Sequence, residues 1–217
     1  MINPKTYYFF FAKFIPLLLA MAVFSMVAAL LWMLGYSNTT TIGQADIYWV
    51  FYLHIAATGV ALMCYGVVCL ASLMQLANPQ ALMPIVFSHG FAPSGFVMTL
   101  FSLGAGALFG RPMWGAYWIW DSRLTALLIL LVFFAAFISL SASKVNHQRQ
   151  VNDKRASISA ILGVIVVPVL YVFFDLFTPM AHDLESSLIR SNGLDAYVLM
   201  SLFMLSLFTY SLAMALS

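Results

Sequence analysis

The sequence predicts an all-α integral membrane protein, and composition, run length and continuity of the apolar segments are the observations that predict it. The chain has 217 residues, of which 64% are hydrophobic and 7% are charged, and its mean hydropathy is +0.99. Soluble domains carry about 25% charged residues, so this chain has too little polar surface to cover itself in water. The composition excludes a soluble domain and gives no sign of nucleic-acid binding.

Six apolar runs are each long enough to cross the hydrocarbon core, which takes about 20 residues of helix. The predicted transmembrane helices lie near residues 14–35, 48–74, 84–109, 124–143, 156–178 and 195–217. Helices are favoured because the runs are continuous, whereas strands of a membrane barrel alternate in segments of about ten residues. Because the runs use nearly the whole chain, residues 1–217 are predicted to form a single six-helix membrane domain.

The first run has two interpretations. Lys5 and Lys13 precede an apolar stretch in which residues 20–22, Ala-Met-Ala, resemble the cleavage site of a secretory signal peptide. The apolar stretch continues as far as Gly35, which is longer than the apolar region of a signal peptide. We therefore expect a retained first transmembrane helix.

The distribution of Lys and Arg predicts the orientation, because cytoplasmic flanks are enriched in these residues. Six crossings put both termini and the loop at 144–155 on one side, with Lys5, Lys13, Lys144, Arg149, Lys154 and Arg155. The other side holds the loop at 36–47, residues 110–125 and the loop at 179–194, with Arg111, Arg123 and Arg190. This predicts a cytoplasmic N-terminus and, in a bacterium, a periplasmic second side.

Residues 110–125, GRPMWGAYWIWDSRLT, concentrate flat aromatic side chains and an Asp/Arg pair on that second side. If the segment is helical, one helix face is formed by residues with i, i+3, i+4, i+7 spacing, namely Trp114, Tyr117, Trp118 and Asp121. Trp120 would then point away from this face. Tryptophan and tyrosine are common as interfacial anchors, but one or two rings suffice for anchoring. The cluster therefore predicts a platform for a flat, apolar ligand.

Two histidines are predicted near the same membrane boundary. His54 lies about two turns into the second predicted helix, and His182 follows the fifth. Ionisable groups within a membrane span are costly and usually functional. Heme fits these residues, because its iron accepts axial histidines and its ring stacks on aromatic side chains. Arg111 and Arg123 are candidate partners of the heme propionates. Zinc is disfavoured, since no third or fourth ligand of the usual type is nearby.

The third predicted helix carries small residues four positions apart, Ser102, Gly106 and Gly110. Such spacing lets helices approach closely, and we interpret it as packing that supports the aromatic segment rather than as a site. His89, nearer the inner side, is expected to pack or to form a hydrogen bond. Asp175 has two interpretations: it orients a histidine, or it reaches the membrane interface.

The segment G-R-P-M-W-G-A-Y-W-I-W-D-S-R-L-T resembles the tryptophan-rich WWD signature of membrane proteins that handle heme in cytochrome c biogenesis. Within that group the chain is similar to the heme exporter protein C (CcmC) family of the bacterial cytochrome c maturation system. Members of that family have six spans, with one histidine before the signature and one after it. The resemblance extends to the Tyr-Leu-His sequence ending at His54 and to the pattern of spans.

The resemblance implies a protein that presents heme b at the periplasmic face of the inner membrane, with His54 and His182 as axial ligands of the heme iron. The residues that it implies around the heme edge are Trp114, Tyr117, Trp118, Trp120, Asp121 and Arg123. It implies delivery of heme to the periplasmic chaperone CcmE, and association with the ABC-type complex subunits CcmA, CcmB and CcmD. It also implies a heme-transfer component rather than an enzyme, with ATP hydrolysis in a partner subunit.

The chain departs from the family pattern at several positions. Tyr117 stands where tryptophan is common, and it keeps the ring area. Ala56 replaces a proline that is usual shortly after the first histidine. Residues 175–177, Asp-Leu-Phe, stand where relatives have an acidic residue followed by tryptophans, and the spacing to His182 is shifted.

Two other classes of function are compatible with an apolar six-helix chain. A cytochrome b-like electron carrier would bury a bis-histidine heme between its helices, but it would have no use for a surface aromatic platform. A small-solute permease would show midplane polar residues and broken helices in an inverted repeat. His89, Pro93 and Gly95 suggest one irregular span, but no second span matches it.

Overall fold

The computed structural model describes residues 12–37, 45–142, 149–177 and 180–216. Within these ranges the regular secondary structure consists of six α-helices and no strand. The helices are α1 (Ile15–Ser37), α2 (Ala45–Ala77), α3 (Leu82–Trp114), α4 (Ser122–Ala142), α5 (Arg149–Phe177) and α6 (Met180–Leu216). The prediction of an all-α protein is confirmed for this part of the chain.

Five of the described helices are long and apolar enough to cross a membrane. They are α1, α2, α3, α4 and the part of α6 from Leu194 to Leu216, with mean hydropathies between 1.5 and 2.6. The protein is therefore a multi-pass membrane protein. Helix α5 is not among the five, so a sixth crossing stays a prediction.

Helix α2 is the centre of the bundle and packs against α3, α5 and α6. Its contact faces are built partly from Ala56, Ala57 and Ala61, all of which are buried. Small side chains let helices approach closely, which matters in lipid because the solvent is as apolar as the helix surface. Tyr52 and Phe134 are among the largest side chains that are fully buried in the bundle.

Helices α3 and α6 cross closely in the half of the bundle away from residues 110–125. A Cβ atom at Gly90 would overlap the carbonyl oxygen of Ala215, and the Ser94 Oγ donates to the carbonyl oxygen of Ser211 at 3.4 Å. These two pairs run in opposite directions along the chain, so α3 and α6 are antiparallel. Because α2 is also antiparallel to α3, helices α2 and α6 run in the same direction.

Helix α1 packs mainly on α6. The Ser206 Oγ of α6 donates to the carbonyl oxygen of Ala22 in α1 at 2.8 Å. The remaining surface of α1 exposes large apolar side chains, including Leu17, Val23 and Phe24. Such a surface is typical of a helix that faces lipid on most of its circumference.

Two segments that were predicted as loops are helical in part. Helix α6 begins at Met180, so the loop predicted at 179–194 is wrong from that residue onward. Helix α5 begins at Arg149, so the predicted loop at 144–155 is also wrong from there. Both segments were predicted as loops because they are polar. In α6, however, Leu184 and Leu188 are four residues apart, a spacing that supports a helix. The acidic residues near the start of α6 also favour a helix N-terminus.

Candidate functional site

A cavity of about 590 Å³ lies where α3 leads into α4. Its walls come from α2, α3, α4, α5 and the connecting residues 115–121. The apolar part of the wall includes Phe51, Ile55, Phe109, Ile119, Leu124, Leu127, Leu130 and Val167, and the polar part includes His54, Thr58, Tyr117, Asp121 and Arg123. Small-molecule sites are typically cavities of about 300–1,000 Å³ with mostly apolar walls and a few polar groups. The cavity has the size and composition of such a site.

The connection between α3 and α4 is not helical. Helix α3 ends at Trp114, and Gly115 adopts a φ of +77° with its N–H donating to the Arg111 carbonyl oxygen at 3.0 Å. This left-handed conformation ends helices and favours glycine, which has no Cβ. The single aromatic helix face that the spacing from Trp114 to Asp121 predicted is therefore wrong, because the chain leaves the helical path at Gly115.

Asp121 begins the next helix. It is 9% exposed, and its Oδ1 accepts a hydrogen bond from the Leu124 backbone N–H at 2.7 Å. Its own carbonyl oxygen accepts from the Thr125 N–H at 3.2 Å. This is the geometry of an N-cap residue, which satisfies a backbone donor that has no partner inside the helix. Asp121 thus fixes the start of α4, and it also lines the cavity.

We expect Asp121→Ala to lower the free energy of unfolding by about 0.5–2 kcal/mol, since the cap is lost. Asp121→Asn should keep most of the stability, because asparagine caps as well as aspartate. Denaturant titration of the purified protein in detergent micelles measures both changes. Equal stability of the alanine and wild-type proteins would contradict the capping role.

His54 lines the cavity from α2, and its ring is held by α3. The His54 Nδ1 lies 2.8 Å from the backbone carbonyl oxygen of Ser102 and 3.1 Å from the Ser102 Oγ. A carbonyl oxygen only accepts hydrogen bonds, so Nδ1 carries the proton in this contact. The other ring nitrogen, Nε2, is then the one that has a lone pair for a ligand.

The predicted aromatic residues divide into two groups. Trp114 and Tyr117 line the cavity. Trp118 and Trp120 are not among its lining residues; their rings pack edge to face, with centroids 5.5 Å apart. Trp118 is partly buried against the core, and Trp120 is 65% exposed. The structure therefore brings two of the four predicted rings to the cavity and directs a third outward.

Two arginines lie at the same end of the bundle. Arg123 lines the cavity. The Arg111 guanidinium carbon lies 4.7 Å from the centre of the Tyr117 ring, which is a cation–π arrangement. Both cations predicted for this region are thus adjacent to the cavity or to one of its lining residues.

The position of His182 differs from the sequence-based expectation of a loop. Its backbone belongs to the first turn of α6, and its side chain lies outside the described side chains. Met204 of α6 lies beside Gly59 of α2. Because α2 and α6 run in the same direction, His54, which precedes Gly59 by five residues, lies at the same height in the bundle as a residue near Leu199. His182 precedes Leu199 by roughly 17 residues, or about 25 Å at 1.5 Å per residue. The pairing of His54 with His182 stays a prediction, and it requires α6 to bend before Leu194.

Sequence reasoning assigned Ser102, Gly106 and Gly110 to helix packing alone. Helices α2 and α3 do pack along this stretch, but Gly106 and Gly110 also line the cavity, and Ser102 holds His54. Thr58, one turn after His54, was missed. Its position at i+4 from the histidine was the available signal, since such residues share a helix face.

His89 lies in the opposite half of the bundle. Its Nε2 is 3.6 Å from the Oδ1 of Asp153 on α5, and its ring packs edge to face on Phe137 with centroids 6.0 Å apart. Of the two roles expected for His89, packing or a hydrogen bond, the ring contact with Phe137 supports packing, and the 3.6 Å separation from Asp153 is too long for a hydrogen bond. Asp175, the other residue with an open role, has a side chain outside the described ones.

Comparison with known proteins gives the family. The family model CcmC, heme exporter protein C, matches residues 1–217, the whole chain. The chain belongs to the heme exporter protein C family.

Individual members of the heme exporter protein C family are distant relatives of this chain. Heme exporter protein C of Haemophilus influenzae is 28% identical over 171 residues, which is 78% of this chain and 67% of the relative. The protein of the same name from Escherichia coli K12 is 28% identical over 158 residues, covering 73% and 63%. That of Rhodobacter capsulatus is 31% identical over 138 residues, covering 64% and 56%. The chain thus spans about 56–67% of the length of these relatives.

Proposed function

We propose that this protein binds heme b in the cavity between α2, α3, α4 and α5 and delivers it to the periplasmic chaperone CcmE during cytochrome c maturation. The observation that carries the proposal is the convergence of His54, Trp114, Tyr117 and Arg123 on one apolar cavity. Membership of the heme exporter protein C family supports a role in heme export or cytochrome c maturation. It also supports a heme-handling component rather than a classical enzyme.

The residues of the cavity fit the chemistry of heme. The apolar wall suits a porphyrin, and Trp114 and Tyr117 offer ring surfaces for stacking or edge contacts. The Nε2 of His54 is the expected iron ligand, since heme proteins bind iron through a histidine whose second ring nitrogen is hydrogen-bonded. Arg123 and Arg111 are the expected partners of the two propionates.

His182 is proposed as the second axial ligand. In the continuous helix α6 it lies about 25 Å from the level of His54. Residues 191–193, Ser-Asn-Gly, are the point at which the helix is proposed to bend, because Gly193 lowers helix stability there. Binding would then fold the first turns of α6 over the cavity.

The cavity is proposed to face the periplasm. Lys154 and Arg155 directly follow Asp153, which contacts His89 in the half of the bundle away from the cavity, whereas Arg123 lines the cavity. Cytoplasmic flanks collect lysine and arginine, which supports a cytoplasmic N-terminus in a bacterial inner membrane. CcmA, CcmB and CcmD are the proposed partners on and within the membrane.

The alternative function is that of a cytochrome b-like electron carrier, which would retain its heme. The exposure of Trp120 favours delivery, because a large aromatic side chain outside the cavity suits contact with another protein. The test uses the full-length protein in nanodiscs, loaded with hemin and mixed with the soluble heme-binding domain of CcmE. We expect heme to move to the chaperone. A heme that cycles between oxidation states and never moves would favour the carrier.

Trp114 and Trp120 provide a matched pair of variants for this experiment. Trp114→Ala should weaken hemin binding about two- to tenfold, since aromatic contacts contribute about 0.5–1.5 kcal/mol beyond area burial. Trp120→Ala should leave the hemin Kd within about twofold and slow the transfer to CcmE. If Trp120→Ala weakened hemin binding as much as Trp114→Ala, the separation between a binding ring and a docking ring would be wrong.

A further inference from the structure

The His54 ring is held by a small group of residues on α2 and α3. Its Nδ1 donates to the Ser102 carbonyl oxygen at 2.8 Å. The Thr58 Oγ1 donates to the His54 carbonyl oxygen at 2.9 Å and contacts the Ser102 Oγ at 2.6 Å. The ring, the backbone of α2 and the backbone of α3 are therefore tied together by hydrogen bonds around a single histidine.

The Ser102 carbonyl is reachable because residue 106 is glycine. In an α-helix a carbonyl oxygen accepts the N–H of the residue four positions later, and its second lone pair stays available. A side chain at that later position stands beside the carbonyl. A Cβ atom at Gly106 would lie 3.0 Å from both the Cε1 and the Nδ1 of His54, so a larger residue would push the ring away from its acceptor.

We propose that Gly106 and Ser102 are positioning residues for His54: the bare backbone at Gly106 exposes the Ser102 carbonyl, which fixes the imidazole with Nδ1 protonated and Nε2 directed to the ligand. The Thr58 and Ser102 hydroxyls brace this arrangement. Neither Gly106 nor Ser102 is proposed to touch iron. The inference rests on the proposed function, since it concerns how the heme-binding histidine is oriented.

The test compares two glycine-to-alanine changes on the same helix. Gly106→Ala adds a methyl group against the His54 ring, whereas Gly104→Ala adds one in open space, with no other heavy atom within 4 Å. Both changes raise helix propensity equally, so their difference isolates the contact with His54. The full-length protein in nanodiscs is titrated with hemin, and the absorption and electron paramagnetic resonance spectra of the bound ferric heme are recorded.

We expect Gly106→Ala to weaken hemin binding about 10- to 100-fold, which is the usual cost of disturbing the hydrogen-bonded support of a metal-binding histidine. It should also move the bound heme from low spin towards high spin, a change that a loss of packing alone would not produce. Gly104→Ala should match the wild type in both measurements. Ser102→Ala, which keeps the carbonyl, should have a smaller effect than Gly106→Ala.

The outcomes separate this inference from the proposed function. If His54→Ala binds hemin as the wild type does, the proposed function fails, and the inference fails with it. If His54→Ala loses binding but Gly106→Ala matches Gly104→Ala in affinity and spin state, only the positioning role is overturned. Melting temperatures of the heme-free variants show whether each protein is folded. Should Gly106→Ala not fold, the double change of Thr58→Ala and Ser102→Ala repeats the measurement, because it removes the two supporting hydroxyls and adds no atom beside His54; affinity and spin state equal to those of Gly104→Ala would also overturn the role.

Discussion

Replacement of His54 by alanine is expected to remove most of the bound heme. The residue lines the cavity, and its Nε2 is the ring nitrogen that its contact with Ser102 leaves for a ligand. Loss of a supporting residue alone costs about 10- to 100-fold in metal affinity, so loss of the ligand itself should weaken hemin binding by at least about 100-fold. Absorption titration with hemin measures the affinity directly.

The matched control is His89→Ala, which removes a histidine from the opposite half of the same bundle. His89 contacts Asp153 and Phe137 and does not line the cavity. Its replacement should change the hemin Kd by no more than about threefold. That is less than the tenfold change that corresponds to about 1.4 kcal/mol of binding free energy. Free imidazole should restore part of the low-spin spectrum to His54→Ala, because it occupies the space of the missing ring. Equal loss of heme in both variants would show that the effect is one of folding.

The second large effect is expected at the crossing of α3 and α6. A Cβ at Gly90 would overlap the backbone carbonyl oxygen of Ala215, and a backbone atom cannot move aside as a side-chain tip can. The two helices must separate, and we expect Gly90→Ala to cost about 1–3 kcal/mol of stability, as for overpacked cores. Thermal or denaturant unfolding in detergent micelles measures the loss.

Gly66→Ala is the control for this prediction, because a Cβ at Gly66 meets nothing within 4 Å. It should be neutral or slightly stabilising, since alanine is the better helix former. A melting temperature of Gly90→Ala equal to that of Gly66→Ala would refute the close approach of α3 and α6. Hemin affinity per folded molecule should be unchanged in both, because neither glycine lines the cavity.

Helical structure and membrane location could be predicted because both depend on local composition. A run of about 20 apolar residues satisfies its backbone hydrogen bonds in lipid only as a helix or within a closed barrel, and the continuous runs favour the helix. The ends of the helices were predicted less well. Residues 180–193 are polar enough to suggest a loop, yet they continue α6, because polarity does not oppose a helix that leaves the apolar layer.

Part of the candidate site could also be predicted. His54 stood out because an imidazole within an apolar helix requires a partner, and the aromatic density of residues 110–125 stood out by composition. The choice among the aromatic rings could not be predicted. It depends on Gly115, whose positive φ turns the chain out of the helix, so that Tyr117 faces the cavity and Trp120 faces outward.

The sequence by itself determined that this protein is a helical membrane protein with an aromatic segment and a histidine within an apolar helix, because these properties follow from residue type and short-range periodicity. Only the tertiary structure decided that Ser102 of α3 contacts that histidine, that Asp121 caps α4, and which rings line the cavity. Contacts between residues almost fifty positions apart, such as that of His54 with Ser102, depend on the register in which two helices pack. Local sequence does not encode that register, because it is set by the combined shapes of all the side chains that the helices bury.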